Sequence, residues 1–205
     1  VNIPDYFAFF DLPRKLVIDT ALLEKLFYSK SRQLHPDRFA GKPQAEQDAA
    51  LEQSSLLNDA WRTLKDPIGR TEYLLSLEGM QLEDQSRNAT DAARAAGKEK
   101  QQIVPPELLE EVFELNMQLE EMKMAREAGA DDPELKQQLL AARNNFESQM
   151  AGLQTELESL WQKWDAAIDA NDNAAQNTIK QKLADLLNKR SYIRNLVRDV
   201  NSALE

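Results

Sequence analysis

A chain of 205 residues is long enough for one or two domains with a real hydrophobic core. Its formal net charge of -10 argues against nucleic acid, whose binding needs a basic surface to replace counterions, and the absence of cysteine excludes disulfides, thiol catalysis and thiolate metal ligation. A single histidine is too few for a dedicated zinc site, and no apolar run approaches the roughly 20 residues of a membrane span.

Few glycines and few β-branched runs favour helix over sheet, so the expected class is all-α. Residues 6–12 are aromatic-rich and should make one or two helical turns stopped by Pro13. Asp19 or Thr20 suits the cap of the next helix, whose body spans 22–34 and repeats Leu22, Leu23, Leu26, Phe27 and Leu34 at amphipathic spacing. Its outer face carries Lys25, Tyr28, Ser29 and Arg32, which reads either as a solvated face or as a modest basic docking strip. The stretch Gln33-Leu34-His35-Pro36-Asp37-Arg38-Phe39 follows. Proline biases the residue before it towards extended backbone, so the helix should end near His35 and leave the imidazole and the Asp37 carboxylate on an exposed bend.

Pro43 fits the first turn of a further helix, in which Ala50, Ser54, Leu57, Trp61 and Leu64 give a buried face. Leu22, Leu26 and Phe27 are its expected partners in an antiparallel pair that presents the bend at one end. Asp66-Pro67 breaks the pattern, and 68–77 reads as a short helix ending at Gly79. From 80 to 104 the chain is polar, alanine-rich and without a sustained apolar face, as a linker would be. The triplet Asn88-Ala89-Thr90 within it matches a glycosylation sequon, though nothing else points to secretion.

Pro105-Pro106 opens the second half, 105–205. Leu108, Val112, Leu115, Leu119 and Met122 form the seam of one helix. Leu139, Phe146, Met150, Leu153, Leu157, Leu160 and Trp164 form that of a second. Ile179, Leu183, Leu186, Ile193, Val197, Val200 and Leu204 form that of a third. Turns at Gly129 and at Asn171-Asp172-Asn173 make an antiparallel three-helix bundle of them, with Trp161 and Trp164 as bundle packing. Leu109, Phe113 and Met117 recur at i, i+4, i+8 beside the first seam, flanked by Glu110, Glu114 and Glu121. Such an excess is either a wide core face or a partner surface edged by charge. Tyr192 and Leu196 are likewise displaced from the third seam.

Three features together give the first part, 1–79, a resemblance to a J-domain. They are His35-Pro36-Asp37, the helix before it, and Leu57-Asn58-Asp59-Ala60-Trp61-Arg62-Thr63-Leu64-Lys65-Asp66-Pro67 after it. Asp5-Tyr6-Phe7-Ala8-Phe9-Phe10-Asp11-Leu12-Pro13, Arg70-Thr71-Glu72-Tyr73-Leu74-Leu75-Ser76-Leu77 and Pro106-Glu107-Leu108-Leu109 are similar to the HscB-type J-proteins of iron–sulfur cluster assembly. The resemblance is dense to Gly79 and sparser beyond. It implies a cochaperone for an HscA/DnaK-class ATPase chaperone, with the scaffold protein IscU as client, acting without a cofactor of its own.

In that family the His-Pro-Asp bend contacts the chaperone and stimulates ATP hydrolysis. The role carries over to His35, Pro36 and Asp37, with Lys25, Tyr28 and Arg32 beside them. Scaffold-gripping positions of the family fall on Leu109, Phe113, Glu114 and Tyr192, and Met117 joins them by spacing. The family usually has methionine where this chain has Glu110, and a charged residue where it has Met117. A cytoplasmic monomer without catalytic, cofactor-binding or metal-binding residues is expected. The rival readings are a general J-domain cochaperone serving another client, a structural helical adaptor, and an enzyme using His35 as base.

Overall fold

The computed structural model describes residues 4–82 and 104–205, and the expected linker 80–104, with its sequon, lies almost wholly outside them. Among the described residues there is no strand. The α-helices are α1 (Tyr6–Phe9), α2 (Thr20–Leu34), α3 (Gln44–Lys65), α4 (Pro67–Leu77), α5 (Leu109–Glu127), α6 (Pro133–Asp169) and α7 (Asn173–Leu204). Short 3-10 turns occupy Pro36–Phe39 and Pro106–Leu108.

Side-chain caps set the N-terminal boundaries. Asp5 accepts from the amides of Phe7 and Ala8, Asp19 from those of Ala21 and Leu22, and Asp66 from that of Gly69. A Cβ at Gly69 would stand 3.0 Å from that Asp66 carboxylate oxygen, so a hydrogen there keeps the α4 cap uncrowded. At the other end of α4, Gly79 takes φ +77, the left-handed conformation that terminates a helix at no steric cost.

Two compact units result, one of Val1–Gln81 with Ser159–Ala184, the other of Leu82–Glu158 with Asp185–Glu205. In the first, Phe7, Phe10, Leu16, Leu23, Leu57 and Leu64 are fully buried. Leu22, expected in this core, is 45% exposed, and Leu23 takes its place on the α2 face that meets α3. Phe27 stacks on Trp61 with ring centroids 4.9 Å apart. The Tyr73 hydroxyl joins α4 to α1 by donating to the Pro4 carbonyl and accepting from the Tyr6 amide, while the Tyr6 and Tyr73 rings stack at 4.5 Å.

Residues 159–184 contribute to this unit what a bundle reading does not anticipate. The Asp165 carboxylate accepts from the amides of Leu16 at 2.7 Å and Val17 at 3.0 Å. Trp164, buried, donates its indole N–H to the Arg14 carbonyl at 2.9 Å. Lys15 pairs with Asp169, and Lys180 with Glu78. The segment between α1 and α2 carries three backbone groups with no partner in its own helices, and the α6 end supplies them.

In the second unit α5, α6 and α7 pack around Leu108, Val112, Leu115, Met122, Leu139, Phe146, Leu153, Ile193 and Val200, as the seams predict. In α7 the burial passes through Leu187 and Leu196, with Leu186 and Val197 only partly covered. A straight helix repeats every 3.6 residues and drifts off a strict four-three frame over several turns.

Burial raises the Asp165 carboxyl above the ordinary aspartate value, against the opposing pull of the two amides and of Lys15, with Asp169 adding to the rise. A carboxyl raised on folding contributes most below the ordinary aspartate range, and that contribution is lost as pH rises through its folded value. Asp165→Asn turns an amide donor towards one of the two backbone donors and should cost about 1–3 kcal/mol at neutral pH. In urea unfolding the advantage of the natural chain over this variant should grow as pH falls through the carboxylate range. An advantage that shrinks on acidification would contradict the assignment.

Candidate functional site

The first site residues are placed by a failure of helix propagation. Pro36 has no amide to donate and disfavours helical backbone before it, so α2 stops at Leu34 and His35 is extended at φ -62, ψ 125. His35 then caps the following 3-10 turn. Its Nδ1 accepts from the Asp37 amide at 3.3 Å and lies 3.5 Å from the Asp37 carboxylate. An accepting Nδ1 places the proton of the neutral ring on Nε2. The Arg38 guanidinium donates to the Arg32 carbonyl at 3.1 Å, covering a group that α2 leaves unpaired where it ends. Gln47 ties the far side of the bend by donating to the Lys42 carbonyl at 2.8 Å.

Both chemical groups of the bend face solvent, the His35 side chain 56% and the Asp37 side chain 89% exposed. Lys25, Tyr28 and Arg32 are exposed on α2, whereas Ser29 of the same strip is half-buried. A cation, an aromatic ring and a second cation therefore lead along one helix to the bend. Such a convex, hydrated tip addresses another macromolecule more readily than it encloses a small substrate.

The second group lies on α5. Leu109, Phe113 and Met117 are all exposed, Phe113 at 69%, while Val112 and Leu115 of the same helix are buried. The stripe is thus a ridge outside the core and not a widened core face. Glu110, Glu114 and Glu121 are exposed along its border. At about 100° per residue, Met124 falls on the same stripe and is exposed too. Its seven-residue spacing from Met117 is the one signal of this in the sequence.

Tyr192 requires correction. It is only 3% exposed and belongs to the α5–α7 core with Ile193 and Leu196, so its ring cannot join a surface patch. Its displacement from the assumed seam reflects the 3.6-residue period, which brings Tyr192 and Leu196 inwards. Burial also pushes its phenol upwards in pKa.

Among the described residues no three histidine, cysteine, aspartate or glutamate side chains gather as metal ligands. Nor is any helix among them long and apolar enough to cross a membrane.

The whole chain can be compared with known proteins. No protein-family model matches it. It is similar to the chaperone HscB from Vibrio cholerae, with 25% identity and a TM-score of 0.57 over 97% of this chain and 96% of that one. It is also similar to the human co-chaperone protein HscB, with 24% identity and the same TM-score of 0.57 over 98% of this chain and 83% of the other. The fold is of the HscB type.

Two substitutions separate core from surface at Tyr192. Tyr192→Ala should lower unfolding stability by about 3–5 kcal/mol, as loss of a buried aromatic does. Tyr192→Phe should stay within about 1.5 kcal/mol of the natural chain, its ring volume being kept. An unmoved denaturation midpoint for Tyr192→Ala would return the residue to the surface.

Proposed function

We propose, from the HscB-type fold of this chain, that it is a cochaperone with two protein-facing surfaces. The tip formed by His35, Pro36 and Asp37 stimulates the ATPase of an HscA/DnaK-class chaperone, with Lys25, Tyr28 and Arg32 extending the contact along α2. The ridge of Leu109, Phe113 and Met117, bordered by Glu114, holds an IscU-type iron–sulfur scaffold. Likeness to two HscB co-chaperones supports the cochaperone role as such.

One observation carries the finer reading: apolar side chains that the core does not use stand exposed on α5, in the same chain as an exposed imidazole–carboxylate tip. Apolar side chains bordered by charge suit a protein interface whose anchors are desolvated on docking. Carrying both surfaces in one molecule brings the client to the chaperone at an effective concentration set by the connection between them. The chain acts by contact and not by catalysis, since His35 on a convex bend has no walls to orient a substrate. Its setting is the cytoplasm and its working form a monomer.

A second reading, a J-domain cochaperone for a different client, draws on one feature. Met117 and Glu110 exchange the apolar and charged positions that the family resemblance implies. Both readings keep the tip and differ only in what the ridge holds.

Steady-state ATPase assays and scaffold titrations divide the two surfaces. His35→Gln should abolish stimulation of the chaperone and leave scaffold affinity intact. Phe113→Ala should leave intrinsic stimulation intact and weaken the scaffold by about 2 kcal/mol, roughly thirtyfold. Retained stimulation in the first variant would remove the tip assignment. Unchanged scaffold affinity in the second would remove the ridge.

A further inference from the structure

We propose that Met117 and Met124 on the α5 ridge form an oxidation site, where a peroxide converts the thioethers to sulfoxides and so releases the docked scaffold. This rests on the ridge reading above and adds a regulation of that surface. The chain has five methionines and no cysteine, so thioethers are its only sulfur groups. Met117 and Met124 are 61% and 60% exposed, whereas Met122 between them is buried and Met80 and Met150 are half-buried. Thioether oxidation follows access to the sulfur, so peroxide meets the ridge of the folded chain first.

In the oxidation step the sulfur lone pair takes the terminal oxygen of hydrogen peroxide. The O–O bond breaks, an S–O bond forms, and water leaves with both protons. Sulfur loses two electrons and the peroxide gains them. With no thiol in the chain to return those electrons, reversal falls to an external thiol-dependent sulfoxide reductase.

The product is a strong acceptor where the ridge had a soft apolar side chain. The residues three and four places from Met117 on the helix are Phe113, Glu114, Glu120 and Glu121, and those from Met124 are Glu120, Glu121, Glu127 and Ala128. None of these side chains offers a donor while the carboxylates are ionised. A sulfoxide oxygen amid them is therefore satisfied by water, and docking of an apolar partner strips that water away. The two positions lie about 10 Å apart along the helix, so oxidation of both alters two turns of the ridge.

The test treats the full chain with limiting hydrogen peroxide, removes the oxidant, and titrates with an untreated IscU-type scaffold. Peptide mass spectrometry should find sulfoxide at Met117 and Met124 before Met122. Scaffold affinity should fall about tenfold as both sites fill, and methionine sulfoxide reductase should restore it. Stimulation of the chaperone ATPase without scaffold should be unchanged, which separates the effect from unfolding. The double variant Met117→Leu, Met124→Leu is its own reference: whatever its starting affinity, peroxide should not change it.

An equal loss in the double variant, or sulfoxide at Met122 as early as on the ridge, overturns the proposal. If Phe113→Ala weakens the scaffold while oxidation does not, the oxidation site falls and the ridge stands. If Phe113→Ala leaves binding unchanged, the ridge reading falls. The proposal then falls with it unless oxidation still weakens the natural chain and spares the double variant.

Discussion

A half-buried carboxylate holding two backbone amides organises the N-terminal unit. Asp165 reaches Leu16 and Val17 from α6, and next to it the Trp164 indole holds the Arg14 carbonyl. These contacts fix the segment that hands α1 over to α2, and therefore the start of the helix at whose far end His35 stands. The interaction works against its own desolvation cost, which is why the carboxyl is displaced upwards even with two amides and Lys15 beside it. Arg70, buried on α4, feels the same charge together with that of Asp66. What anchors the unit is thus a polar contact of very long sequence separation, packed among aromatic and aliphatic side chains.

The two exposed groups arise from opposite uses of the helix. At the tip, proline stops propagation and leaves carbonyls and side chains without helical partners. Arg38, Gln47 and the His35 ring absorb those groups, so the bend is ordered by hydrogen bonds and not by burial. On α5 the helix runs uninterrupted, and the sequence places more apolar residues around it than the core consumes. One surface is polar and shaped by an interruption; the other is apolar and shaped by regularity. A partner would read the first by hydrogen bonds and charge, and the second by displacement of water.

Local chemistry was legible in the sequence, and long-range chemistry was not. Asp19, Pro36, Pro43, Asp66 and Gly79 each bound an element through an effect confined to a few residues, and the boundaries follow them closely. The exposed ridge was half legible, because spacing placed Leu109, Phe113 and Met117 off the seam without saying whether that space was filled. Tyr192 was misread for a related reason, a four-three frame carried too far along a straight helix. Leu22 and Leu23 are equally apolar, and only the packing direction of α2 separates the buried one from the exposed one. The membership of 159–184 in the N-terminal unit left no pattern to read. An aspartate bound to backbone amides looks, in a sequence, like any surface aspartate, and an indole bound to a carbonyl looks like bundle packing.

That membership bears on the order in which the molecule is made. The hydrogen bond from Leu16 to Asp165 spans 149 positions. At roughly 5–20 residues per second, a ribosome needs on the order of ten to thirty seconds to supply the second partner after the first has emerged. Through that interval the nascent N-terminal helices carry an open seam where Trp164 will later lie. Amide exchange at Leu16 on stalled chains of increasing length would time the closure. Chaperone-like holding of this chain during its own synthesis would matter most in that window.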